Sequence, residues 1–191
     1  MKLLKYLFFL ILIVVIGGAV YYGTKDGKFD VASSKTINAP ASMLYENVND
    51  YKNWEEWGPW LADDPNMQFT YSDTTKGVGG SLSWTSEAAG DGSMKTISNV
   101  ENESIDQKIV FVTPMGESAS DIYWKFEPSE EGTEVTWGMK GEHTFLEKVF
   151  MAFQPEDFKA SMKKMYGQGL DNLEQTMLQE MEKYSVTVEV S

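Results

Sequence analysis

The hydrophobic and polar positions follow three different patterns along the chain. Residues 7–22 are almost wholly apolar, residues 67–140 alternate between apolar and polar, and residues 155–184 repeat apolar positions every three or four residues. Alternation is typical of half-buried antiparallel strands, and the spacing of three and four is typical of an amphipathic helix. The chain is therefore predicted to contain an apolar N-terminal helix, a sheet and a long C-terminal helix.

The order of these elements predicts the fold class. A first strand is expected at 29–37, followed by short helices at 41–49 and 53–60, the second of which Gly58-Pro59 ends. Six further strands follow, joined by short turns, before the helix at 155–184. One antiparallel seven-stranded sheet with a long helix packed on its inner face belongs to the α+β class.

The N-terminal apolar segment has two interpretations. Residues 3–22 reach the length of about 20 apolar residues that a membrane span requires. Gly17-Gly18-Ala19 also fits the small-residue cleavage site of a signal peptide. We expect an uncleaved single-pass anchor at 1–23 in the cell membrane, with the domain on the extracytoplasmic side. A linker at 24–28, a domain at 29–184 and a tail at 185–191 complete the predicted organisation.

The composition excludes several kinds of site. The chain has no Cys, so disulfides and thiolate sites cannot form, and its single histidine, His143, excludes a multi-histidine metal site. Its net charge is −13 and its 16 basic residues are all Lys, which argues against nucleic acid as a partner. We therefore expect no metal and no cofactor.

Several fragments resemble one superfamily. They are Ile37-Asn38-Ala39-Pro40, the spaced residues Trp54, Trp57 and Trp60, Lys76-Gly77-Val78-Gly79, Gly132 to Trp137, and Gly169 to Leu173. In this order they resemble the SRPBCC, or helix-grip, superfamily, which includes START domains, the major birch pollen allergen and bacterial polyketide cyclase/dehydrase-like proteins. The resemblance implies a curved sheet that grips the C-terminal helix around an apolar cavity, in which members hold lipids, sterols or polyketides.

The residues that face this predicted space are candidates for ligand contact. They are Trp60, Phe69, Tyr71, Trp84, Phe111, Trp124, Trp137, Met139, Met162, Met165 and Gly169. Aromatic and Met side chains also fill ordinary cores, so packing alone is the competing interpretation. Trp54 and Trp57 are expected to cap the sheet, whereas Trp60, just after Gly58-Pro59, is expected to contact a ligand.

Three functions remain open on the sequence. The first is a membrane-tethered domain that binds a small hydrophobic or amphipathic ligand, with Tyr71, Gln107 or Ser120 orienting it. The second is a cyclase- or dehydrase-like enzyme, for which Glu142 and His143 suggest acid–base chemistry without a recognisable constellation of partners. The third is an envelope interaction module with a vestigial cavity. No catalytic residue is assigned.

Overall fold

The computed structural model of the protein describes residues 2–113, 116–153 and 157–189. A long apolar helix comes first, then a strand and short helices, then six strands, and finally a short helix and a long one. The helices are α1 Lys2–Gly23, α2 Ala41–Asn49, α3 Trp54–Trp57, α4 Trp60–Asp63, α5 Phe145–Met151 and α6 Phe158–Glu189, with a 3₁₀ turn at Tyr51–Asn53. The strands are β1 Lys28–Ile37, β2 Gln68–Tyr71, β3 Ser81–Thr85, β4 Gly92–Val100, β5 Ser104–Thr113, β6 Gly116–Ser129 and β7 Gly132–Glu142.

The seven strands form one curved antiparallel sheet. Their order is β1-β7-β6-β5-β4-β3-β2, so the first strand pairs with the last and the others follow as a meander. A register shift between Thr96 and Ser98 interrupts the β4–β5 ladder, and such bulges bend the strand that carries them. The predicted α+β helix-grip architecture is confirmed.

Helix α6 lies across the inner face of the sheet. Its buried residues Tyr166, Leu170, Leu173 and Met177 recur at the predicted spacing of three and four. At the β1 edge, the Ser33 hydroxyl donates a hydrogen bond to a backbone carbonyl of the helix. Burial of this apolar stripe against the sheet forms the core of the domain.

The structure differs from the predicted elements at three places. The helix predicted at 53–60 is observed as two short helices, α3 Trp54–Trp57 and α4 Trp60–Asp63, on either side of Gly58-Pro59. The helix predicted at 155–184 is observed at Phe158–Glu189, while Pro155 lies outside the described residues. Helix α5 was not predicted. Its N-terminus is nevertheless encoded, because Thr144 and Glu147 form a reciprocal capping box. Five of its seven residues (Phe145, Leu146, Val149, Phe150 and Met151) are apolar and none is buried. A segment this short does not span the window of about 11–18 residues over which a helical period is recognised.

Helix α1 is long and apolar enough to cross a membrane, and its apolar span is not buried by the rest of the protein. An N-terminal signal sequence would meet the same criteria. Length and composition therefore fit a membrane anchor and a signal sequence equally, and both the anchor and its orientation stay predictions.

Candidate functional site

A cavity of about 140 Å³ lies between the sheet and α6. Its wall is almost wholly apolar, and Tyr166 is its one lining residue with an ionisable side chain. An apolar cavity of about 150 Å³ can hold a benzene-sized molecule. The lining residues are Trp54, Trp60, Met67, Phe69, Leu82, Trp84, Ala89, Met94, Ile109, Phe111, Ile122, Trp137, Met139, Met162, Met165 and Tyr166.

Most of the predicted contact residues come together around this cavity. The wall includes Trp60, Phe69, Trp84, Phe111, Trp137, Met139, Met162 and Met165. Tyr71, Trp124 and Gly169 are not part of it. Whether the eight wall residues touch a ligand stays a prediction.

Tyr71 lies at the end of β2 beside α3. Its hydroxyl donates a 2.5 Å hydrogen bond to the Glu55 carboxylate. Burial and this hydrogen bond raise the pKa of Tyr71 above its usual value. The hydroxyl that was expected to orient a ligand is thus engaged with a neighbouring helix.

Trp124 belongs to a cluster of indole rings that closes one end of the space between sheet and helix. Its ring is fully buried and stacks on Trp137 with a centroid distance of 4.5 Å. Trp137 stacks in turn on Tyr166 at 4.4 Å. We call Trp54, Trp57, Trp60, Trp124 and Trp137 the tryptophan cluster.

The tryptophan cluster is stabilised mainly by ring packing, because only two of its five indole N–H groups have an acceptor among the described residues. Trp54 donates its indole N–H to the Val48 carbonyl, and Trp124 donates to Gln107 Oε1. The buried indole N–H groups of Trp57, Trp60 and Trp137 have no acceptor among the described residues. Gln107, proposed from the sequence to orient a ligand, instead supports Trp124.

Gly169 explains how α6 approaches the cluster so closely. A Cβ atom at this position would lie 2.5 Å from a ring carbon of Trp137 and 3.3 Å from Pro59. Any larger residue would have to push the helix away from a ring that is stacked on both faces. Close approach to the sheet, rather than room for a ligand, is the physical reason for this glycine.

Eight residues of the wall were missed as site residues. They are Trp54, Met67, Leu82, Ala89, Met94, Ile109, Ile122 and Tyr166. The strand period contained the signal for several of them, because Leu82 shares a face with Trp84 and Ile109 shares one with Phe111. Tyr166 follows Met162 by four residues on α6. Ala89 lies in a turn, where no period exists to identify it.

A groove of about 630 Å³ lies next to the cavity, bounded by α5, the start of α6 and the β3–β4 turn. The groove and the cavity share Ala89, Phe111 and Met139 as wall residues. Polar side chains border the groove, among them Ser118, Ser120, Glu142, His143 and Glu147. The apolar cavity therefore adjoins a groove that is more polar and more open to solvent.

His143 lies in the groove between two phenylalanine rings. It stacks on Phe29 at 4.4 Å and meets Phe158 edge-on at 5.0 Å. Burial lowers the pKa of His143, and Lys148 and Lys159 act in the same direction while Glu147 opposes them. The imidazole is therefore held neutral by its surroundings near pH 7.

Glu147 takes part in the capping box at the start of α5. Burial acts to raise its pKa, but hydrogen bonds from Ser118 and Thr144 outweigh this effect, so the pKa of Glu147 lies below its usual value. Its carboxylate accepts the Thr144 N–H at 2.7 Å. The ionised side chain is thus committed to the helix start.

The described residues contain no group of three or more His, Asp or Glu side chains that could hold a metal ion. Asp64 accepts a 2.5 Å hydrogen bond from the Ser86 hydroxyl and another from the Asn66 N–H. These bonds fasten the loop before β2 to the end of β3.

The sequence of the domain matches a family model. The model is described as "Polyketide cyclase / dehydrase and lipid transport", and it matches residues 28–178. The chain belongs to this family. The match covers all seven strands and most of α6, so the resemblance found in the sequence is confirmed. Comparison with curated proteins finds no match.

Solved structures share the fold of this family member. A putative uncharacterized protein from Rhizobium leguminosarum has a TM-score of 0.60 at 13% identity, covering 81% of this chain and 97% of its own. Protein MLL2253 from Mesorhizobium loti has a TM-score of 0.56 at 16% identity, covering 80% and 98%. Ara h 8.0201 has a TM-score of 0.54 at 16% identity, covering 80% and 99%. Family and fold together indicate a ligand-binding domain.

Proposed function

We propose that this member of the family binds one small amphipathic molecule at a membrane to which α1 tethers it. The apolar part of the molecule occupies the cavity between sheet and α6, and its polar part lies in the groove. The observation that carries this proposal is the shared wall of the two spaces at Ala89, Phe111 and Met139.

The division of polarity supports an amphipathic ligand. The surface of the cavity wall is almost wholly apolar, so a polar group placed there would exchange its hydrogen bonds to water for few or none. Each 100 Å² of ligand apolar surface that enters contributes about 2.5 kcal/mol before the costs of association. The groove supplies hydroxyls and the neutral His143 imidazole to the other end.

The volume of the cavity limits the size of the part of the ligand that it can hold. The cavity alone is below the volume of about 300–1,000 Å³ that is usual for ligand pockets, so a bulky ring system does not fit inside it. A short chain or a single ring fits, with the remainder in the groove. Binding is proposed rather than catalysis because, apart from Tyr166, no residue of the wall can donate or accept a proton as an acid or base.

Blocking the shared wall tests the proposal. In the Ala89→Trp variant, a large ring on the exposed β3–β4 turn would obstruct the passage between cavity and groove. Glu87→Trp places the same ring two residues away, at an exposed position that lines neither space, and serves as the matched control. Mass spectrometry of the full chain, purified in mild detergent from its host, measures the small molecules that accompany it.

We expect the wild type and Glu87→Trp to carry the same molecule, with an apolar chain or ring and a polar end, and Ala89→Trp to carry far less. All three proteins should unfold at similar temperatures, because the substituted turn is exposed. A wild-type protein without any bound molecule, or equal content in the two variants, would contradict the proposal.

A further inference from the structure

The segment that joins α1 to β1 is fastened to the start of α5. The Gly27 carbonyl accepts a 3.0 Å hydrogen bond from the His143 N–H, and the Lys25 carbonyl accepts one of 2.7 Å from Lys148 Nζ. A Cβ atom on Gly23 would lie 2.0 Å from the Phe145 ring, so the end of α1 touches α5 directly. The predicted linker therefore holds α5 beside the end of the anchor helix.

Helix α5 and the two residues that follow it expose large apolar side chains. Phe145, Leu146, Phe150 and Phe153 are all exposed, and Phe153 retains 77% of its accessible surface. We call these four residues the α5 patch. Single exposed apolar residues are ordinary on soluble proteins, but a cluster of four within nine positions marks a surface that is covered by something else.

The end of α1 indicates what covers the α5 patch. Tyr21 and Tyr22 lie in its last turn, and the Lys25 ammonium sits over both rings at 4.6 and 4.8 Å. Tyrosines followed by a lysine are typical of the level at which a spanning helix leaves the hydrocarbon and meets the headgroups. Phe145 contacts Gly23 at this level, so the α5 patch continues the apolar surface of α1.

The α5 patch is also connected with the groove. Phe150 belongs to both, and Glu147 and Met151 of the same helix line the groove. A surface that lies against a membrane would thus place the groove next to the lipid.

From these contacts we propose that the α5 patch lies in the headgroup region of the bilayer beside α1, so that the groove faces the membrane and receives its amphipathic ligand from the adjacent leaflet. The position of the α5 patch rests on the tether in the proposed function, and the source of the ligand rests on the binding role. The occupant of the α5 patch is a lipid surface.

The absence of cysteine from the chain makes the test direct. A single cysteine is introduced as Phe153→Cys and labelled with a fluorophore sensitive to its environment. Val78→Cys, which replaces an exposed apolar residue on the turn before β3, is the matched control. The full chain is reconstituted into phosphatidylcholine vesicles with and without lipids that carry a doxyl quencher near the headgroup end of the acyl chain. The near-ultraviolet circular dichroism of the tryptophan cluster confirms that each labelled protein is folded.

We expect the label at position 153 to be quenched several-fold more strongly than the label at position 78, and its emission to shift to shorter wavelength. Equal, weak quenching at both positions would overturn the proposal. So would a label at position 153 that stays exposed in vesicles and is covered only when a protein partner is added.

The mass-spectrometric measurement separates this inference from the proposed function. A co-purified molecule without quenching at position 153 would refute the membrane position of the α5 patch and leave ligand binding intact. Quenching at position 153 without any co-purified molecule would support the membrane position and refute the ligand and its route.

Discussion

The two ends of the space between the sheet and α6 are built in opposite ways. At one end the tryptophan cluster fills the space with stacked rings, and Trp54, Trp57, Trp124 and Trp137 are each 2% exposed or less. At the other end the wall passes through Phe111 and Met139 into an open groove. The same sheet and the same helix thus bound a packed region and a hollow one.

The difference shows that the position of the cavity is set by where the stacked rings between sheet and helix end. Flat rings that stack on one another leave little free volume and hold α6 at a fixed distance from the sheet. At the hollow end α6 presents Met162 and Met165 to the cavity, and their flexible side chains pack less rigidly than stacked rings. The tryptophan cluster therefore acts as the support that keeps the hollow end from closing.

The largest expected effect is the loss of a ring from the packed end. Trp137→Ala removes a side chain that stacks on both Trp124 and Tyr166, so unfolding should become easier by about 3–5 kcal/mol. Phe111→Ala, at the half-buried boundary of the hollow end, should cost about 1–2 kcal/mol because less apolar area is lost. Denaturant unfolding of the full chain in detergent measures both. Equal losses would mean that the two ends are packed alike.

A smaller pair of opposite effects is expected from two glycines of α6. Gly169→Ala places its methyl group against Trp137 and should destabilise the domain by about 1–3 kcal/mol, as overpacking does. At Gly167 an added Cβ would meet no atom within 4 Å apart from its chain neighbours and the adjacent backbone of its own helix, so Gly167→Ala should stabilise the helix by up to about 1 kcal/mol. The two melting temperatures should move in opposite directions. A shift of both in the same direction would show that Gly169 does not set the helix–sheet distance.

The smallest effect concerns His143 at the open end. Its folded pKa lies below the unfolded value of about 6.5, so the unfolded state takes up a proton first as the pH falls. Stability should therefore decline as the pH falls through about 6.5, and His143→Gln should remove this part of the decline. Since the chain has one histidine, its NMR titration is free of overlap. A titration midpoint above that of a model peptide would contradict the burial of this ring.

Much of the architecture followed from periodicity alone. The strand alternation through Leu82 and Trp84, and the helical spacing from Phe158 to Met177, each reflect one buried face, which a sequence records directly. Eight of the eleven predicted contact residues lie on the cavity wall for the same reason.

The rest depends on contacts that periodicity does not record. Tyr71 and Trp124 face inward, as predicted from the strand period. The Tyr71 hydroxyl, however, is hydrogen-bonded to a carboxylate on α3, and the Trp124 ring is stacked on Trp137. Gly169 is predicted to contact a ligand, yet the choice between ligand contact and close packing required the position of Trp137. The α5 patch escaped prediction because its helix has only seven residues, too few to show a helical period in the sequence.

The pairing of β1 with β7 has a consequence for the way the chain is made. The strand that follows α1 pairs with the last strand of the chain, from Lys28 opposite Glu142 to Ile37 opposite Thr133. Synthesis proceeds from the N-terminus, so β1 emerges first and stays without a neighbour until β7 has been made. Closing so long a loop is slow. Assembly of the sheet therefore ends at β1, the strand that is made first and that directly follows α1.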